Sequence, residues 1–484
     1  FTFWQLQPRL LLADTTPAGG DMGAHVWGPA YLRDHLLSEG RLSGWAPDWY
    51  AGFPAYQFYM VVPALLIVLL DTGVSGWAAL VPLAAGLGLL AVALTHAEQR
   101  VRRVAAVAGL AVILLGCGLP YGVAFKFVTV SGLLALPVAC YLAARLADLP
   151  FPGPPIAALG ATVFLFNREP VENSTGHIIG GNMASTLAGE FSFSISFAFL
   201  VLYLGFLLRG LRRGGYRATC AVLLALCALC HIIPAIYAVV ATAAALLTSL
   251  PLSKERLKWF LPVGPVAVMI AAFWIGPFYL RSGYLNDMGW EKIPGGILER
   301  STGDLLFRMW LPGSEFASLR TDVLANLFPG KLMAVTALAA VGIVVSVLLR
   351  IRLGVLLTIC GAVTFVAFLL APQGRLWNAR LLPFWFLCMC LLAAIAVAEL
   401  GRAVTALVTS KPEWRISPAS LATPAAATIF ALVYVGLPLG VLPGQTTEAD
   451  GSRDWLWFEV ASTDRNVVPA WAEWNYDGYE RKAA

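Results

Sequence analysis

The sequence predicts an all-α polytopic membrane protein, and three observations carry that prediction. Of 484 residues, 59% are hydrophobic and only 13% charged, whereas soluble domains carry about 25% charged residues. Apolar blocks recur along the chain, many of them in the range of roughly 17–25 residues that crosses a bilayer core as a helix. Short basic loops separate them, the pattern that orients helices in a membrane. The short alternating segments that mark a membrane β-barrel are not seen. The formal charge of +5 sits mostly in the basic loops, so it reports topology and gives no reason to expect a nucleic-acid partner.

The chain opens at Phe1 within an apolar lead-in, read as a membrane helix already under way. A polar opening loop, 13–54, follows. Next comes "YMVVPALLIVLL", about a dozen apolar residues with Pro63 inside, short for a span. Two readings stay open here. Either this segment re-enters and leaves the opening loop and Asp71 on one side, or the basic-loop signal fails in this part. Helices at 74–94 and 104–119 flank "THAEQRVRR", whose arginines read as cytoplasmic.

Further on, Arg209, Arg212, Arg213 and Arg217 form one basic loop, and Lys254, Arg256 and Lys258 another. Both are cytoplasmic only if 217–250 folds as two short helices turning near "CHIIP". Arg350 with Arg352, and Lys411 with Arg415, mark two more cytoplasmic loops. The other face then collects 167–190, the turn at His231, the outer loop 281–330, 372–380 and the tail after 443. The expected organisation is a membrane domain over 1–443 and the start of a non-cytoplasmic segment over 444–484, with the natural chain running on at both ends.

The eight cysteines lie almost wholly in apolar runs and read as small hydrophobic packers. "CALCH" at 227–231 spells a haem-attachment pattern, but its oily surroundings favour packing, with His231 as a helix cap or packing residue. The five histidines show no close ligand spacing, so no metal site is expected. "NST" at Asn173 matches a glycosylation acceptor, a weak pattern.

The opening loop carries the chemistry. "LADTTPAGGDMGAHVWGPAYLRD" gathers Asp14, Asp21, His25, Arg33 and Asp34 beside Gly19 and Gly20. Paired glycines permit a tight turn, and His25 follows Asp21 by one helical turn. "GWAPDWYAGFPAYQFY" then surrounds Asp48 with aromatic rings, a combination that suits sugars and amphipathic head groups. Elsewhere, Lys126 lies inside an apolar run, where snorkelling to the surface is the plain alternative to a functional role. Arg380, with Arg375, Trp377 and Asn378, stands at a helix mouth where a guanidinium suits a lipid-linked phosphate. Glu190 opens an apolar helix, where the positive helix end favours a carboxylate.

Together "GGDMGAHVWGPAYLRDHLL", "YGVAFKFVTVSGLLALP", "GEFSFSIS", "LWNARLLPFWF" and "VVPAWAEWNYDGYE" resemble a family of actinobacterial polytopic membrane proteins. That family carries a historical 6-pyruvoyl-tetrahydropterin-synthase-related label and is similar to GT-C membrane glycosyltransferases. The pterin label implies no activity here, since no zinc-binding histidine triad is present. The resemblance implies a GT-C-like bundle of about 11–14 transmembrane helices with outer loops and interfacial helices. It implies a polyprenyl-phosphate sugar donor and a cell-envelope glycan or glycolipid acceptor, handled on the outer face of the plasma membrane. Asp21 would be the general base, and Arg380 and Lys126 the phosphate contacts. His25, Glu190, His231 and Asp287 would line the cavity, with Trp377, Asn378 and Asp48 among the binding residues. A second loop carboxylate would be Asp14, Asp34 or Asp48. No cofactor is required by this scheme, although Mg²⁺ or Mn²⁺ could share the phosphate charge. The competing functional class is a non-catalytic lipid or polysaccharide translocator, or an envelope-assembly scaffold.

Overall fold

The computed structural model describes all residues except 7, 19–20, 48–51, 75, 168–178, 286–307, 315, 372–375, 410–417, 440–445, 448–452, 455–458 and 461–484. Among the described residues, seven helices are long and apolar enough to cross a bilayer, and five shorter apolar helices accompany them. The chain is an all-α multi-pass membrane protein.

Helix α1 (Met22–Tyr31) leaves the opening loop and α2 (Val62–Asp71) follows it. A hairpin of α3 (Leu80–Thr95) and α4 (Gln99–Gly116) comes next, then the long α5 (Tyr121–Leu146) and α6 (Gly153–Leu165). The second half holds α7 (Phe191–Arg213), α8 (Arg217–Cys230), α9 (Ile232–Leu247), α10 (Val263–Leu280), α11 (Met333–Leu348), α12 (Arg352–Leu370), α13 (Leu382–Thr409) and α14 (Pro418–Gly436).

Two helices form the centre: the apolar windows of Met183–Arg213 and Asn378–Val408 are 78% and 83% buried, against 11% for Gly76–Thr95. Small residues bring the backbones together. A Cβ on Gly132 would lie 2.5 Å from Ile195 N, and one on Gly342 would collide with the carbonyl of Leu392. Close approach at glycine is how helices gain dispersion contacts where lipid removes the hydrophobic drive. Aromatic rings fill the wider gaps, with Tyr237 stacked on Phe384 at 3.9 Å and Phe197 edge-on to Phe384 at 5.2 Å.

The helices alternate between two ends of the bundle. At one end Asp148, just past α5, binds Arg209, Arg212 and Arg213 at the close of α7. Trp259 Nε1 donates to Gly215 O at 2.9 Å in the same region. The other end holds the opening loop, the start of α7, the turn at His231, the close of α10 and the start of α13. Residues 217–247 do form two short helices, broken at His231 by extended backbone with φ −165°.

The segment at 59–71 keeps the opening loop and Asp71 on one side, as one of the two readings requires. Helix α2 has ten residues, and Asp71 at its close binds Arg33 beside the end of α1. Entry and exit therefore lie at one end. The α3–α4 hairpin also starts and finishes there, since Val74 bridges Cys117 and Leu119 N donates to Leu70 O at 2.8 Å. Seven of the eight cysteines are buried and all are free, as packing residues should be.

Two small sheets close the opening-loop end. Strands β2 (Gly44–Ala46) and β3 (Phe53–Ala55) form an antiparallel hairpin across the segment that holds Asp48, which itself lies outside the described residues. Strand β1 (Pro17–Ala18) pairs antiparallel with β6 (Glu459–Val460), in a sheet ordered β1-β6-β5-β4 with β4 at Thr446–Thr447 and β5 at Arg453–Asp454. The tail thus shares an end with the opening loop.

Candidate active site

Asp21 is the N-cap of α1, and its exposed carboxylate is not used to close the helix. Two backbone bonds fix it. Its own N–H donates to Ala188 O at 2.8 Å, and its carbonyl accepts from His25 N at 3.3 Å. The first of these ties the opening loop to the segment leading into α7. That segment approaches closely because residue 189 is glycine. Gly189 has φ +121°, and a Cβ there would lie 2.9 Å from Asp21 Cβ and 3.2 Å from His25 Cδ2.

The His25 ring sits between Phe191, edge-on at 5.1 Å, and Tyr59, whose hydroxyl is 3.2 Å from Nε2. This enclosure pushes the imidazole pKa down to about 4, with the Asp21 charge opposing the shift. His25 is therefore neutral at pH 7. Burial raises the Tyr59 phenol above its ordinary value, and the charge of Glu190 adds to that.

One residue beyond Gly189, Glu190 forms an ion pair with Arg380, both side chains being mostly buried. The Arg380 guanidinium also lies over the Trp377 ring at 5.2 Å. Its Nη1 is buried and has no hydrogen-bond partner among the described residues. A fork with one arm paired and the other unsatisfied is a ready acceptor site for an anionic oxygen. The charges of Glu190, Asp21 and Arg380 all act on Tyr59.

His231 lies next to this group, its ring 5.1 Å from Phe193. Its Nδ1 accepts from Ile233 N at 3.2 Å, so it caps α9, the structural role weighed for it above. Lys126 is fully buried rather than snorkelled. Its ammonium donates to Ala13 O at 2.6 Å and Thr15 Oγ1 at 3.1 Å, holding the opening loop against α5. Asn378 donates to Phe368 O at 3.1 Å. Asp287 lies outside the described residues.

Among the described residues, Glu190, next to Gly189, is the carboxylate brought close to Asp21, while the loop candidate Asp48 lies outside them. Asp14 accepts from Gly122 N at 3.2 Å, and Asp34 binds Arg33 at 2.6 Å. Their side chains are held by neighbours for reasons of loop structure. Tyr59, Ser192 and Gly189 were not singled out from sequence, although the aromatic run "AYQFY" contains the first of them.

Beside Asp21 opens a cavity of about 250 Å³. Asp21, His25 and Ser192 edge it with polar atoms, and Trp27, Tyr56, Met60 and Ala64 form much of its apolar wall. Among the described residues, no three His, Cys, Asp or Glu side chains converge as metal ligands. No family description, curated protein or solved structure matches the chain.

Proposed function

We propose that the protein is an integral-membrane glycosyltransferase of GT-C type, moving a sugar from a polyprenyl-phosphate carrier to an envelope acceptor. The observation that carries this reading is the pairing of an exposed carboxylate, Asp21, with a half-satisfied guanidinium, Arg380, at the end of an apolar bundle. One group can take a proton and the other can hold a phosphate at the membrane edge.

In this mechanism an acceptor hydroxyl attacks the anomeric carbon of the donor sugar. Its proton passes to the Asp21 carboxylate, general-base assistance of a kind that contributes about 10²–10⁴-fold. The bond from the anomeric carbon to the carrier phosphate breaks, and the bonding pair leaves on the phosphate. Arg380 meets that growing negative charge, while Glu190 fixes the guanidinium. His25, neutral at working pH, hydrogen-bonds Tyr59 beside the base.

The basic loops supply the orientation. Arg209, Arg212 and Arg213 lie at the end opposite the site, which by the positive-inside rule supports a site on the non-cytoplasmic face.

The test is sugar transfer in nanodiscs from labelled polyprenyl-phosphate sugars. Asp21→Asn is expected to lower turnover at least 100-fold with donor binding retained, and Arg380→Ala to weaken donor binding. Transfer indifferent to Asp21, or donor binding with no transfer to any acceptor, would overturn the assignment and favour a translocator or scaffold.

A further inference from the structure

The cavity beside Asp21 is lined by two chemically different groups of residues. Asp21, His25 and Ser192 supply polar atoms, and Asp21 is exposed. The apolar lining includes Trp27, Met60 and Ala64, which are 4%, 7% and 5% exposed. These three belong to a second apolar cluster, shared with Ala225 and Leu229 of α8 and with Ala267, Ala271 and Trp274 of α10. The cavity therefore joins an exposed carboxylate to an apolar wall that is continuous with the oily side of the bundle, beside α2.

Arg380 and Glu190 do not line this cavity, so it is distinct from the phosphate contact and sits on the side of the base. Its 250 Å³ falls below the 300–1,000 Å³ typical of sites that engulf a drug-sized ligand. Several sugar units would not fit, whereas one ring with a short apolar stem would.

We propose that the acceptor is amphipathic, a glycolipid whose reacting sugar lies at Asp21 while the first part of its apolar stem fills the Trp27–Met60–Ala64 slot. This rests on the glycosyltransferase reading for the acceptor role, though the slot itself can be tested without turnover. A soluble glycan would leave the apolar wall wet and unmatched. An amphipathic acceptor covers it, each buried methylene strengthening binding about fourfold.

The experiment measures binding of a series of alkyl glycosides, methyl to decyl, below their micelle concentrations. The protein is held in nanodiscs, with empty nanodiscs as the partition control. Affinity is expected to rise about fourfold per methylene and then to level off where the slot is full. Ala64→Phe shortens the slot, so the plateau should come several carbons earlier, and Met60→Ala should delay it. Affinity independent of chain length overturns the proposal. So does a steady rise without a plateau, or a plateau that neither substitution moves. Transfer assays on the same series separate the two ideas. A plateau in binding with no transfer to any acceptor leaves the slot standing and removes the enzyme. Efficient transfer to chain-free and alkylated sugars alike keeps the enzyme and removes the slot.

Discussion

At the scale of single residues, His25 and Gly189 decide how the site is built. His25 is held at a pKa of about 4 against an ordinary 6.5. The unfolded chain therefore binds the extra proton between those values, and stability rises with pH across that window. Full benefit is expected above pH 6.5, with progressive loss as pH falls toward 4. His25→Gln should flatten that dependence, as read from thermal unfolding midpoints between pH 7.5 and 4.5. Gly189 adopts φ +121° against Asp21 and His25. Gly189→Ala adds backbone strain of about 1–3 kcal/mol and drives a methyl group into the base. We expect transfer to fall more than tenfold. Gly214→Ala, equally left-handed at φ +72° but with nothing within 4 Å of the added Cβ, should leave transfer intact. Asp21, His25, Glu190 and Arg380 were legible because charged groups in an oily chain need a reason. Tyr59 and Gly189 were not, because their meaning lies in contacts with residues distant in sequence, His25 for the one and Asp21 for the other.

Among the elements, the α3–α4 hairpin is the most separable. Its helices pack on one another, with Gly86 and Gly109 in mutual close approach. The window of α3 is only 11% buried. Both of its roots meet at Gly73 and Gly118, where a Cβ on either residue would collide with the backbone of the other. Excision of 75–116, with a direct join across that contact, is expected to leave a monodisperse protein in detergent that retains transfer. Aggregation of the shortened protein on size exclusion would show that the hairpin completes the core. Sequence placed this hairpin and the two short helices around His231, since their lengths and loop charges are local properties. It left α2 undecided, because the side on which a ten-residue apolar helix ends shows only in the distant pairing of Asp71 with Arg33.

For the whole molecule, the two ends differ in chemistry. Basic groups around Asp148 mark one, and the opening loop with Arg380 marks the other. Orientation can be read directly in intact cells with a membrane-impermeant maleimide. Glu39→Cys, at the site end, should label from outside, and Gly215→Cys should label only after permeabilisation; the reverse pattern would turn the site toward the cytoplasm. The multi-pass helical class followed from composition alone. The meeting of α1, α7 and α13 at one point did not, since periodicity says which face of a helix is oily and not which helix it meets.

The pairing of Pro17–Ala18 with Glu459–Val460 joins the tail to the loop just three residues before Asp21. The backbone that carries the base is thus anchored on both flanks, by the tail strand on one side and by Ala188 on the other.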